Sequence, residues 1–482
     1  METRSEIVTR EDLLLFINAC FAATAQREFY DAPADAKSLH QDTLAFLHRY
    51  VCGNYRTFYA RTLACGINDF AKTRIVQTLL ATGQETTPAF RREENALLRA
   101  ATRSLPPQRA YKLFAALRKA NINNRRARAV VRDYLAARPD ATFDAVKYRS
   151  KVRAAATHAH LRLPGEMGAF LWGDHAKVRF QTPLFETFRQ ARYAKEAVFR
   201  LPYTVAEGLA AKHGISRATF LTGIAPNMTQ TERERLLRSS ADAGVALVTD
   251  LARMPLTRLT LYVLGLSLTE RETRRDELET ALRGAARRAF RQAPLALPPA
   301  GTIAAVLDDS YSASGSEEKR RRPLAIALGV HYLLREAVPE RYKPFWSNGT
   351  ASGNPLFVVA RGATDLATPL VHALETHPVL VLIVSDGYEN DPPGAVHALV
   401  RVWRERLDPA AHTAFVHANP VFAADEYAPR PLSPLIAALG VRDAETLAVP
   451  LAFARFVGTN EFAALDDFLR DRAEAFTGGN GR

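Results

Sequence analysis

Cysteine is scarce in this 482-residue sequence, and long apolar runs are absent. The three cysteines (Cys20, Cys52 and Cys65) are odd in number and lack the paired spacing of a zinc site, which argues against a disulfide framework or a structural metal. The most apolar stretch, Leu259 to Leu268, is shorter than the roughly 18 residues that a membrane-spanning helix needs. The first residues also lack the apolar core of a signal peptide. We therefore expect a cytoplasmic protein with reduced thiols.

Lysine is scarce as well, and the positive charge is unevenly distributed. Arginine supplies 53 of the 64 cationic residues, a bias that a GC-rich genome could produce or that phosphate recognition could require. Residues 1–300 carry 47 Lys and Arg against 29 Asp and Glu, a net of +18, whereas residues 301–482 carry 17 against 22, a net of −5. Such asymmetry predicts that the first part binds a polyanion such as a nucleic acid.

Strand-like patterns are nearly absent from residues 1–293. Helical patterns of about 10–18 residues recur instead, one of them from Phe143 to His160, and turns such as Leu105-Pro106-Pro107 separate them. This arrangement predicts an N-terminal all-α module of HEAT-like helical repeats over residues 1–295, with degenerate repeats. A single large all-helical domain is the alternative.

The C-terminal part has several continuously apolar segments, as parallel strands buried on both faces require. Three of them precede polar loops: Thr302–Leu307 before Asp308-Asp309-Ser310-Tyr311-Ser312, Leu356–Ala360 before Arg361-Gly362-Ala363-Thr364-Asp365, and Val379–Val384 before Ser385-Asp386-Gly387. Further strands are expected at 414–417 and 447–451. With helical patterns between them, these segments predict a doubly wound α/β domain over residues 300–482.

The first of these loops reads Asp-x-Ser-x-Ser. One carboxylate and two hydroxyls suit a hard divalent cation such as Mg²⁺, which prefers oxygen ligands in octahedral geometry. Open α/β sheets bind ligands beyond the carboxyl ends of their strands, so all three loops can meet at one ion. The alternative is a polar loop with an N-capping Ser or Asp before the next helix.

This order of three motifs resembles the metal-ion-dependent adhesion site of a von Willebrand factor A domain. The resemblance implies that Ser310, Ser312 and Thr364 supply hydroxyl ligands and that Asp308 and Asp386 bind directly or through water. It further implies that Asp309 points away, that Asp365 is a possible outer acceptor, and that the metal is Mg²⁺ or another divalent cation such as Mn²⁺ or Ca²⁺. Many members have Gly-Ser-Met or Ala-Ser-Met around the second serine, whereas Ala313 follows Ser312 here. This departure affects packing beneath the loop more than metal ligation.

Helical repeats followed by such a domain resemble the TROVE-module proteins, the family of the Ro autoantigen. Met254-Pro255-Leu256-Thr257 is similar to a segment late in that family's repeats, and the basic stretch from Lys147 to Arg162 is similar to its basic helices. The resemblance implies a ring-like module that binds small noncoding RNAs on its outer surface and RNA ends through its central hole.

Two basic clusters, one within residues 125–132 and the other within residues 147–162, are the candidate RNA contacts. On one continuous helix, Lys147 and Lys151 would be a like-charge pair four residues apart, which an anion would relieve. Tyr134, Phe143 and Tyr148 could stack on unpaired bases. A solvated helix face is the alternative for either cluster. The candidate residues are Arg125, Arg126, Arg128, Arg132, Lys147, Arg149, Lys151, Arg153, His158 and Arg162.

We therefore predict a noncatalytic protein that binds small noncoding or misfolded RNA in RNA quality control or processing. Its second domain is expected to dock an acidic protein partner at the metal. No histidine is placed by the sequence to activate Ser310, and no phosphate-loop motif is present. The alternative is a metal-dependent protein-interaction scaffold that binds no RNA. A metal-dependent phosphohydrolase is disfavoured because it needs a general base and more carboxylates.

Overall fold

The computed structural model describes residues 3–24, 26, 36–83, 87–163, 165–174, 177–349, 353–423, 427–457 and 462–478. Within these ranges, no helix is both long enough and apolar enough to cross a membrane.

The first part of the described chain is helical. Several of its helices begin at the signals that the sequence provides: Thr229 and Glu232 form a reciprocal cap, and Pro107 occupies the first turn of its helix. The helices are α1 Arg4–Ala22, α2 Ala36–Asn54, α3 Arg56–Arg61, α4 Asp69–Ala81, α5 Pro88–Ser104, α6 Pro107–Lys119, α7 Arg125–Ala136, α8 Ala141–Lys147, α9 Arg149–His158, α10 Gly165–Trp172, α11 Pro183–Gln190, α12 Lys195–Val198, α13 Tyr203–Lys212, α14 Arg217–Ile224, α15 Gln230–Asp242, α16 Leu256–Gly265, α17 Leu268–Thr273 and α18 Arg275–Gln292.

Strands and helices then alternate, as expected for an α/β domain. The elements are β1 Thr302–Leu307, α19 Arg322–Ala337, β2 Tyr342–Trp346, α20 Ala367–Leu374, β3 Pro378–Val384, α21 Ala395–Val402, β4 Ala414–Asn419, β5 Ala437–Gly440, α22 Ala448–Ala454 and α23 Phe462–Gly478.

The five strands form one parallel sheet in the order β2-β1-β3-β4-β5. Residues Ile303 to Leu307 of β1 are fully buried, so both faces of this strand are covered. On one face, Val306 and Ile383 pack against α20 and α21, for example against Leu370. This is the doubly wound α/β architecture that the sequence predicts.

The chain divides into two compact units whose limits differ from the predicted domains 1–295 and 300–482. One, the sheet unit, comprises Met1–Thr78 with Leu251–Arg482, and the other, the basic unit, comprises Leu79–Asp250. Helices α1 to α3 and α16 to α18 lie before residue 295 but belong to the sheet unit, and some of them bond to its elements. Asn18 of α1 donates to the Ala438 carbonyl of β5, and Thr257 of α16 donates to Glu445.

Two predicted strands are wrong. In the first, the chain forms a 3₁₀ turn at Pro355–Phe357 and is irregular from 358 to 360. Two carbonyls of this segment bond to a side chain rather than to a neighbouring strand. The buried Arg271 guanidinium donates to the Leu356 and Val358 carbonyls at 3.2 and 2.9 Å. Residues 448–451 lie in α22 and Leu447 directly precedes it, with Pro450 in the first turn, where a missing N–H costs no helical hydrogen bond.

The helix predicted from Phe143 to His160 is also interrupted. It divides at Tyr148 into α8 and α9, so Lys147 and Lys151 do not lie on one continuous helix. The like-charge argument for that pair therefore fails, since it required four residues of unbroken helix between the two cations.

Candidate metal centre and basic surface

Three loops meet at the carboxyl ends of β1 and β3. The chain leaves β1 for β2 on one side and returns to β3 on the other, so the strand order reverses between β1 and β3. This reversal is the place where doubly wound sheets bind ligands. Asp308 follows β1, and Asp386 lies two residues beyond the end of β3. Thr364 lies in the irregular segment that precedes α20.

The three predicted hydroxyl ligands lie together. Ser310 Oγ is 3.1 Å from Ser312 Oγ, and Thr364 Oγ1 donates to Ser310 Oγ at 3.0 Å. Ser310 and Thr364 are buried, whereas Ser312 is half-buried and borders solvent. The structure thus brings together oxygens from residues more than 50 positions apart in the sequence.

The two predicted carboxylates are buried beside these hydroxyls. Asp308 accepts hydrogen bonds from the Ser310 N–H and the Ser385 hydroxyl, both at 2.9 Å, and Asp386 accepts one from the Tyr388 N–H at 3.1 Å. Burial raises the pKa of Asp308. Burial, and then the nearby Asp308, raise the pKa of Asp386 to about 7. Two carboxylates in this position favour either a shared proton or a cation.

The donor set fits a small, hard cation. Mg²⁺–oxygen distances of about 2.0–2.1 Å place neighbouring ligands of an octahedron about 3 Å apart, whereas the longer Ca²⁺–oxygen distances require wider spacing. The hydroxyl separations of 3.0 and 3.1 Å are hydrogen-bond lengths, and oxygens at this spacing are also close enough to be neighbouring ligands of one ion. Within the described ranges, no three His, Cys, Asp or Glu side chains converge as a metal site, so the two carboxylates here depend on hydroxyl partners.

Residues that the sequence reasoning missed hold these loops in place. Asn419 of β4 donates to the Asp386 carbonyl at 3.0 Å, and His417 of the same strand contacts the Ser385 carbonyl at 3.0 Å. Asn390 accepts from the Thr364 N–H at 2.8 Å. At Gly387, φ is +85° and an added Cβ would lie 2.5 Å from the Arg430 carbonyl, so only glycine fits. His417 and Asn419 could have been found in the sequence as polar residues at the end of the apolar strand β4.

The two neighbouring acids have other partners. Asp309 accepts from the Ser347 hydroxyl at 2.8 Å and from the Asn348 N–H at 2.7 Å, which directs its carboxylate away from Ser310 as predicted. Asp365 accepts from the Thr368 N–H at 2.9 Å at the start of α20. In the structure, therefore, Asp365 caps a helix.

The positive charge of the chain is concentrated in the basic unit. Residues 79–250 carry 29 Lys and Arg against 15 Asp and Glu, a net of +14, whereas the sheet unit carries 35 against 36, a net of −1. Between Glu94 and Asp133 there are ten Lys or Arg residues and no acidic residue. The asymmetry seen over residues 1–300 therefore resides in residues 79–250.

Four of the ten candidate RNA residues have partners inside this unit. Lys147 donates to Glu232 at 2.8 Å, with both side chains nearly buried. Arg149 donates to the Phe170 and Leu171 carbonyls at the end of α10. Arg126 forms an ion pair with Glu94, and His158 contacts the Ile122 carbonyl at 3.0 Å. These contacts stabilise helix packing and leave the four side chains little freedom to bind RNA.

The other six candidates are exposed. Arg132 pairs with the adjacent Asp133 at 3.1 Å. The remaining five form no ion pair within the described part of the chain: Arg125, Arg128, Lys151, Arg153 and Arg162. Among the proposed stacking residues, Tyr134 is buried against Phe114, while Phe143 and Tyr148 are half-buried.

The fold and the three-loop site define a class: a two-part protein with an all-α helical part and a doubly wound α/β domain whose sheet ends in clustered hydroxyls and carboxylates. No family model matches the sequence, and no curated protein matches it. Among solved structures, the chain is similar to the Ro (RSR) protein of Deinococcus radiodurans, with 16% sequence identity and a TM-score of 0.49. The match covers 92% of this chain and 99% of the other.

Proposed function

We propose that this chain is a noncatalytic cytoplasmic protein whose basic unit binds small noncoding or misfolded RNA in RNA quality control or processing. The observation that carries the proposal is the net charge of +14 on residues 79–250, against −1 on the rest of the chain. A compact unit with so large an excess repels itself unless anions neutralise it, and phosphate is the anion that arginine binds best.

The identity of any bound RNA is the first thing to measure. The full chain is purified from its own host at low salt, and the nucleic acid that accompanies it is extracted and sequenced. A discrete set of small RNAs is expected. Protein free of nucleic acid that also fails to bind added single-stranded RNA would overturn the proposal.

Salt dependence tests which cations touch phosphate. Arg125, Arg128 and Arg132 are exposed on α7, and replacing all three by alanine should lower the slope of log K against log salt by about 2, since each phosphate neutralised on a single strand contributes about 0.7. A matched variant that removes the exposed Lys195, Arg200 and Lys212 takes the same charge from other parts of the basic unit. Equal slopes in the two variants would remove α7 from the RNA surface.

We further propose that Asp308, Ser310, Ser312, Thr364 and Asp386 hold a divalent cation, Mg²⁺ or another such as Mn²⁺ or Ca²⁺. The bound ion would offer an open coordination position to an acidic side chain of a protein partner. Hydroxyl ligands support this role because they are neutral, so the bound ion remains electrophilic towards a carboxylate of the partner. The spacing of the hydroxyls and the burial of both carboxylates support the choice of residues.

The metal proposal is tested by thermal unfolding with and without Mg²⁺. The double variant Asp308→Ala, Asp386→Ala should lose the stabilisation by Mg²⁺ and keep its RNA affinity. Asp467→Ala, at an exposed position on α23, is the control that removes a carboxylate elsewhere. A retained Mg²⁺ response in the double variant contradicts the ligand set. Mg²⁺-dependent binding to an acidic peptide without any RNA binding would favour the scaffold function instead.

A further inference from the structure

A groove lies between α6 and α9 in the basic unit, with a cavity volume of about 300 Å³. Tyr111 and Phe114 form its floor, and Ala115 and Ala154 line its walls. The volume is at the lower end of the range for small-molecule sites, about 300–1,000 Å³. The groove therefore has room for a ligand of modest size.

The floor of the groove is fixed by an aromatic cluster. Tyr111 and Phe114 are both buried, with ring centroids 6.1 Å apart, and the Tyr111 ring is 5.2 Å from that of Tyr148. The Tyr111 hydroxyl donates to Asp144 at 3.1 Å, which holds the ring in place from behind. The alanines above this cluster are too small to fill the space between the two helices, so the groove is part of the packed fold.

The rim of the groove is cationic. Arg118 and Lys151 line it and are exposed, and neither forms an ion pair within the described residues. No acidic residue lines the cavity, and Asp144, which contacts its floor through Tyr111, is buried and bound by Arg138. An apolar groove between two exposed cations matches a ligand that has an apolar part and an anionic group.

We infer that the α6–α9 groove takes one nucleotide of single-stranded RNA, with the base between Ala115 and Ala154 and the phosphate near Arg118 and Lys151. This inference rests on the proposed RNA binding and identifies where a nucleotide is held. RNA is favoured over an acidic peptide because the unit as a whole carries +14, the charge on which the proposed RNA binding rests. The groove has few polar atoms, so little preference among the four bases is expected.

Filling the groove tests the inference without changing charge. Ala154→Leu places an isobutyl group in the cavity on a helix that tolerates leucine. The affinity for a single-stranded oligouridine, followed by fluorescence anisotropy at fixed salt, should fall at least about fivefold, because the base can no longer enter the groove and its apolar surface stays in water. Ala211→Leu, at an exposed position of α13 outside the groove, is the control and should bind as the parent does.

The double variant Arg118→Ala, Lys151→Ala tests the rim and stands as a second measurement should Ala154→Leu fold poorly. Its slope of log K against log salt should fall by about 0.7 for each phosphate that the variant no longer neutralises. The inference is overturned if Ala154→Leu binds oligouridine as tightly as the parent and the double variant keeps the parent's salt slope. That result leaves the proposed RNA binding intact. A parent chain that binds no oligouridine and no other RNA overturns both.

Discussion

Replacing Asp386 by asparagine should have opposite effects on the protein with and without a divalent cation. Asparagine has nearly the same shape as aspartate, and its amide oxygen can still accept the hydrogen bond from the Tyr388 N–H. The substitution removes the charge and replaces the second carboxylate oxygen by an amide NH₂ donor. Because Asp386 is buried beside Asp308 without a cationic partner among the described residues, that charge is unfavourable unless a cation is bound.

The magnitude follows from the pKa of about 7, compared with an ordinary value near 3.9. When folding raises the pKa of an acid, the folded protein loses stability as the pH rises from the unfolded-state pKa to the folded-state pKa. Above the folded-state pKa the loss is constant. A difference of about three units corresponds to at most about 4 kcal/mol at pH 8. Relaxation and water penetration reduce this figure, so we expect Asp386→Asn to stabilise the metal-free protein by about 1–3 kcal/mol.

The assay is thermal unfolding at pH 8, in chelator and in excess Mg²⁺. In chelator, the variant should unfold a few °C above the parent. In Mg²⁺, the parent should gain about 2.7 kcal/mol at a hundredfold excess over Kd, while the variant gains much less. A variant that is less stable than the parent in chelator and that retains the full Mg²⁺ response would refute the reasoning, because Asp386 would then neither bear an unfavourable charge nor bind the ion.

Three other predictions concern residues away from this carboxylate. Lys147→Met should destabilise the basic unit by about 2–4 kcal/mol in urea titrations, because Glu232 would stay buried without its cation, and it should leave the salt slope of RNA binding unchanged. Arg271→Met should cost about 3 kcal/mol or more and weaken Mg²⁺ affinity, since it frees carbonyls in the segment that leads to the site; an unchanged melting temperature would contradict this. Burial lowers the pKa of His48 and His331 to about 3, so their contribution to stability is complete above pH 6.5 and decreases as the pH falls towards 3, by about 2 kcal/mol each at pH 5. Glutamine at either position should flatten that pH dependence.

The clustering of the candidate metal-binding residues could be predicted because its signals are local. Each candidate residue lies just after an apolar segment, and the carboxyl ends of parallel strands meet at one edge of a sheet. Thr364 reaches the site even though the segment before it is not a strand, since two hydrogen bonds from Arg271 hold that segment instead. No local pattern in residues 356–360 reveals a partner that lies 85 residues away in the sequence.

The basic surface was predicted less well, for a related reason. Lys147 and Arg149 stand in a run of cations that resembles an exposed face, yet one pairs with Glu232 and the other with carbonyls of α10. Arg118, at the rim of the groove, belongs to no dense cluster and was not among the candidates. Whether a cation is free for phosphate depends on which acids and carbonyls the fold places beside it.

The sequence alone determined most of the helices and strands, the parallel sheet with its cluster of hydroxyls and carboxylates, and the excess of positive charge in the first part of the chain. These features depend on the periodicity of apolar residues and on composition, and both are local properties. Only the tertiary structure decided that the first 78 residues and the helices after residue 251 belong with the sheet. It also decided which cations stay exposed and where a groove remains between α6 and α9, because packing between distant segments determines burial, pairing and empty space.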